Sequence, residues 1–136
     1  MNIYLDIDGV LLTKEGEPAN HLEDFLEFCV SKFNCFWLTT HCKGDNSSAL
    51  RHLQGKVSEK AYSLAINIDP TIWNTWKTEG INFDEKFIWL DDYVFEPERD
   101  ELLRHNVLNR LVLIDLNANP NQLFDLLEML KKELGK

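Results

Sequence analysis

A chain of 136 residues with 44% apolar side chains can bury one real core, and its length calls for no second domain. A net charge of -9 argues against nucleic acid or an anionic membrane as partner, so any phosphorylated ligand has to be drawn in by a metal and a few local cations. Cys29, Cys35 and Cys42 are odd in number and lack metal-ligand spacing, and no stretch has the make-up of a signal core or a membrane span, so a reducing cytoplasm is the expected setting.

The first expected strand runs from Ile3 to Leu11 and carries Asp6 and Asp8. A flap at Lys14 to Pro18 follows, punctuated by Gly16 and Pro18. Asn20 is then placed to cap a helix, with Glu23 in the capping-box position and Leu22, Phe25, Leu26, Cys29 and Phe33 at helical spacing. The run Cys35 to Leu38 reads as a strand buried on both faces, ending in Thr39 and Thr40 and completing a right-handed crossover. Residues 43–48 read as loop, and Ser48 to Gln54 as a short helix stopped by Gly55. Between Ala61 and Ile68 helix and strand stay equally open.

The regular pattern resumes in Phe87 to Leu90, a strand that ends in Asp91 and Asp92. A helix is expected around Glu98 to His105, then a fully buried strand over Leu111 to Ile114. The last helix has Asn119 as cap, Pro120 at its first position and Gln122 in the capping-box place. Leu123, Leu126, Leu127, Leu130 and Leu134 form its stripe, and Lys131 and Lys132 sit near its negative end. Alternation of this kind specifies a single α/β domain over 1–136, a three-layer α/β/α Rossmann-like sandwich around a mainly parallel sheet.

Two carboxylate pairs at apolar strand ends are costly without a cation, because like charges a few ångströms apart raise each other's pKa. In an open parallel sheet both pairs emerge at the carboxyl edge, where one divalent ion would serve them together. In order along the chain come Asp6-x-Asp8-Gly9-Val10, Thr39, Lys77 within Trp76-Lys77-Thr78-Glu79, and Asp91-Asp92. That series resembles the four motifs of the haloacid dehalogenase (HAD) superfamily of phosphatases and phosphotransferases, over most of the chain.

The resemblance implies a Mg²⁺-dependent phosphomonoester hydrolase with Asp6 as nucleophile, passing through an aspartyl-phosphate, and Asp8 as general acid and base. Mg²⁺ would be held by the Asp6 carboxylate, the Asp8 carbonyl and the Asp91-Asp92 pair, with Asp92 direct and Asp91 through water. Thr39, with Thr40 as the competing choice, would bond a phosphate oxygen. Lys77, preferred over Lys86, would offset the negative charge. The second aspartate, Asp8, favours phosphate over carbon–halogen chemistry.

Other residues have simpler readings. His41 and Cys42 are left outside catalysis, Trp73 and Trp76 are expected in the core, and Asp115 is expected as a turn and cap group. Neither gap between motifs has room for a cap domain, so the resemblance implies an open site for a phosphorylated substrate that is macromolecular or is covered by a neighbouring subunit. The rival readings are a receiver-like phospho-switch, which would need its acidic pair on the first strand, and a non-catalytic HAD-like binding domain.

Overall fold

The computed structural model describes residues 1–42 and 44–135, so Lys43 of the expected loop lies outside the described residues. Four strands, β1 (Asn2–Leu5), β2 (Asn34–Trp37), β3 (Phe87–Asp91) and β4 (Leu111–Leu113), form one all-parallel sheet in the order β2-β1-β3-β4. Five helices accompany it: α1 (Leu22–Lys32), α2 (Ser47–Leu53), α3 (Glu59–Ala65), α4 (Glu96–Arg104) and α5 (Gln122–Leu134).

Strand periodicity divides the core in two, because successive side chains point to opposite faces. Ile3 and Leu5 of β1 and Ile88 and Leu90 of β3 join Phe25, Leu26, Leu123 and Leu127 of α1 and α5. Tyr4, Phe87 and Trp89 face the other way, packing with Leu38, Trp73, Ile81 and with Leu102 of α4. The result is an α/β sandwich with helices on both faces of the sheet. No helix among the described residues is long and apolar enough to cross a membrane.

The first crossover leaves β1 for β2 on one side, and the chain later returns to place β3 on the other side of β1. Strand order therefore reverses between β1 and β3, and the crevice at their carboxyl ends is where an open α/β sheet binds its ligands.

Several boundaries differ from the sequence expectations. β1 stops at Leu5 rather than Leu11, because the Ile7 carbonyl accepts the N–H groups of Val10, Leu11 and Leu12 and curls the chain into a turn. Those three side chains are fully buried as a loop. β4 is an edge strand paired only with β3, so Leu111 and Val112 are half-buried and Leu113 is 50% exposed, not fully buried as expected. In β2, Phe36 is only half-buried, and the outer edge is covered by the backbone of Asp69. The open stretch Ala61 to Ile68 resolves as the rest of α3, to Ala65, and then a turn that leads into the bridging Asp69.

The expected caps also act differently. α1 starts after His21, which has φ +66° and makes no side-chain cap, while the Asn20 amide donates to Asn121 Oδ1 at 3.1 Å. Asn119 accepts from Asn121 N and donates to Asp125, and Gln122 accepts from Asp115 N and donates to the Leu113 carbonyl. Asn20 thus ties the start of α1 to that of α5 and Gln122 ties α5 to β4, while the bonds of Asn119 stay local to the start of α5.

Candidate functional site

The carboxyl ends of β1 and β3 converge on a lysine. Asp6 directly follows β1 and donates its N–H to the Leu90 carbonyl, while Asp91 is the last residue of β3. Lys77 opens a 3-10 turn, Lys77–Gly80, whose first N–H donates to the carboxylate of Glu98 on α4 at 2.8 Å. Glu98 is 2% exposed and accepts the Phe95 N–H with its other oxygen, so one buried carboxylate fixes both segments. From that position Lys77 Nζ reaches Asp91 Oδ2 at 2.7 Å and Asp6 Oδ1 at 3.6 Å.

Asp91 is saturated with donors. Lys77 and the Trp89 indole donate to Oδ2, and the N–H groups of Asp92 and Tyr93 donate to Oδ1. Carboxylate oxygens of Asp6, Asp91 and Asp92 lie within 4.8 Å of one another, a hard, all-oxygen donor set that fits Mg²⁺. Because the lone pairs of Asp91 are taken, Asp6 and Asp92 would be the direct donors to an ion held there.

Burial shapes the titration of this group. It pushes Asp91 up to about 6, with the Asp6 charge acting in the same direction and Lys77 against it. Burial also raises Asp6, although Lys77 and hydrogen bonds from its neighbours oppose the shift, and burial followed by Asp91 raises Asp92. For Lys77 burial acts downward, yet the charges of Asp6 and Asp91 outweigh it and the ammonium is held.

A carboxyl group raised in the folded state contributes stability that is complete below its unfolded pKa and is lost as pH rises through the folded value. Metal-free protein should accordingly lose stability relative to its Asp6→Asn variant as pH rises from about 4, the ordinary carboxyl value, through about 6, the value to which Asp91 is pushed. Urea unfolding of both proteins in chelator checks this, and a difference that does not change with pH would contradict it.

Asp8 lies elsewhere from Asp6 in the site, because β1 has already ended. It is exposed, and each of its oxygens meets a histidine: Oδ2 is 2.9 Å from His41 Nε2 and Oδ1 is 2.8 Å from His52 Nε2. The two imidazoles stack at 3.8 Å, and Lys56 Nζ lies 3.3 Å from His52 Nδ1. Burial works to raise the Asp8 pKa, but the histidine hydrogen bonds outweigh it and lower the value. His41, set aside in the sequence reading, thus contacts a central carboxylate, whereas Cys42 is a fully buried side chain. His52 was missed altogether. Its only signal was one helical turn of spacing to Lys56, which is indistinguishable from an ordinary solvated face.

Asp6, Asp8, Lys77, Asp91 and Asp92 all line one cavity of about 220 Å³, with Thr40, Tyr93, Phe95 and Glu98. Thr39 is fully buried, its hydroxyl accepting the His41 N–H and bonding Asp6, while the exposed Thr40 faces the cavity. Lys86 is at the amino end of β3, paired with Glu133 of α5. Gly9 has φ +84°, and a Cβ there would sit 2.5 Å from Asp92 Oδ2, so only glycine lets the two loops meet.

Trp73 is buried as expected and donates to the Cys42 carbonyl, but Trp76 is half-exposed and packs against Phe95 rather than in the core. Asp115 accepts the N–H groups of Asn117 and Ala118 and closes a turn. No family model, no curated protein and no solved structure matches this chain.

Proposed function

We propose that this chain is a Mg²⁺-dependent phosphomonoester hydrolase of the HAD type. The observation that carries the reading is Lys77, whose ammonium joins Asp6 to Asp91 at the point where the strand order reverses. A carboxylate nucleophile there has an orienting hydroxyl, a charge-balancing lysine and neighbouring carboxylates suited to an ion, which together are the parts phosphoryl transfer needs.

An Asp6 oxygen attacks phosphorus as the ester P–O bond breaks, and the departing alcohol oxygen takes a proton from Asp8, which must first take that proton up from solvent because its histidine hydrogen bonds favour the carboxylate in the free protein. Water then attacks the aspartyl-phosphate, gives its proton to Asp8 and releases inorganic phosphate and free Asp6. His41 and His52 hold the Asp8 carboxylate from both oxygens, Thr39 holds Asp6, and Thr40 and Lys77 are presented to the phosphate. Mg²⁺ would be held by Asp6, Asp92 and the Asp8 carbonyl and would neutralise charge on the phosphoryl oxygens; Asp91, its oxygens already bonded to four donors, would support the site without the water link that the resemblance implies.

A receiver-like switch is disfavoured by order, since the candidate nucleophile ends the first strand and the acidic pair ends the third. Between Leu38 and Phe87 the described residues hold only α2, α3 and a 3-10 turn, which supports an uncapped site that is open or covered by a partner. Purified protein assayed on a panel of phosphate esters tests the reading. Phosphate release should appear with Mg²⁺, vanish on chelation and return when Mg²⁺ is restored; chelator-resistant turnover, or none on any ester, would overturn it.

A further inference from the structure

The cavity has an aromatic margin that hydrolysis itself does not require. Tyr93 and Phe95, on the segment linking β3 to α4, line it while remaining 60% and 53% exposed. Their rings meet edge to face at 4.8 Å, and Trp76 packs against Phe95 at 5.9 Å. Side chains of this size are normally used for burial, and exposure of adjacent ones at the rim of a polar cavity is characteristic of surfaces that stack a planar ligand.

The surface is also held in place. Glu98 accepts the Phe95 N–H with one carboxylate oxygen and the Lys77 N–H with the other. Whatever Lys77 contacts is therefore in a fixed relation to Phe95. Trp76, which packs against Phe95, is half-buried and does not itself line the cavity, so it backs the two exposed rings.

We propose that Tyr93, Phe95 and Trp76 form a ring-binding subsite and that the substrates are nucleoside monophosphates, with the phosphate at Lys77 and the base stacked on the aromatic margin. This rests on the phosphomonoesterase reading and names its substrate class. Tyr93 and Phe95 line the cavity yet stay more than half exposed, so their rings extend past its mouth, where a base carried one sugar away from the phosphate can reach them. The net charge of -9 opposes a polynucleotide and leaves the mononucleotide, whose single phosphate suits one lysine and one ion. Hydrolysis would consume one water and yield the nucleoside and inorganic phosphate.

The test measures binding in Mg²⁺ by calorimetry on the full chain carrying Asp6→Asn, so that ligands persist. Adenosine 5′-monophosphate should bind more tightly than ribose 5-phosphate by roughly 5- to 100-fold, the range that base stacking on an aromatic side chain supplies. Adding Phe95→Ala and Tyr93→Ala should collapse that ratio toward one, and the gentler Phe95→Leu, which keeps bulk without a ring, should reduce it.

Equal affinity for the two ligands, or a ratio that survives loss of the rings, overturns the subsite while ribose 5-phosphate binding upholds the phosphate site. Tighter binding of O-phosphotyrosine than of the nucleotide overturns the assigned class. Failure of inorganic phosphate, ribose 5-phosphate and nucleotide alike to bind removes the phosphate reading and this inference together.

Discussion

Asp6→Asn should abolish turnover, with a loss of at least ~10⁴-fold, as befits removal of a nucleophile that no neighbour replaces. Fold should be unaffected, because asparagine keeps the size of the side chain and one acceptor oxygen for its neighbours. Asp6 is 7% exposed and shares its surroundings with Asp91, so neutralising it relieves repulsion and should raise the melting temperature of the chelated protein. Steady-state and single-turnover assays beside calorimetric melting check both halves. Retained turnover would refute nucleophilic catalysis by Asp6, and a lower melting temperature would show that its charge stabilises the fold.

Lys77→Met should have the second largest effect, this time on activity and stability at once. Its ammonium is the ion-pair partner that Asp6 and Asp91 share, and its side chain is 14% exposed. Stranding buried carboxylates by removing their partner costs on the order of 3–5 kcal/mol. Because the folded carboxyl groups then have still higher pKa values, the deficit should be largest near neutrality and shrink as pH falls through about 6, the value to which Asp91 is already pushed.

Lys86→Met provides the contrast. Lys86 makes an exposed surface pair with Glu133, so its loss should cost at most ~1 kcal/mol and leave activity intact. Parallel chelated unfolding curves and phosphate-release rates decide the matter. Comparable losses in both variants, or loss only in Lys86→Met, would show that the wrong lysine has been assigned.

Much of this was legible because strong local signals agreed with the tertiary arrangement. Apolar strand interiors ending in acid located β1 and β3, and the leucine stripe located α5, since burial follows those periodicities directly. Caps were less legible: Asn20 and Gln122 have side chains that suit a cap, but groups on other elements take their hydrogen bonds, while Asn119 bonds locally to Asn121 and Asp125. Leu111 to Ile114 is apolar enough for a central strand, and no local pattern records that the sheet ends there.

In the candidate site, Asp6 and Asp91 could be placed together because each lies at a strand end, whereas Lys77, on a 3-10 turn between strands, was placed only by its position in the ordered motif series. Asp8 was harder, since two-residue periodicity applies only while the strand lasts, and the Ile7 turn comes first. The His52 contact is non-local, and nothing in the helical pattern of α2 indicates which carboxylate it would reach.

Gly9 has a consequence for the affinity and selectivity of an ion. Asp92 occupies the space that a side chain at Gly9 would take, so the loops after β1 and β3 are set against each other by contact between backbone and carboxylate before any ion arrives. Little conformational entropy then remains to be lost on binding, and the preformed spacing discriminates by size: a small ion can be gripped without rearrangement, whereas a larger one would have to force two packed loops apart.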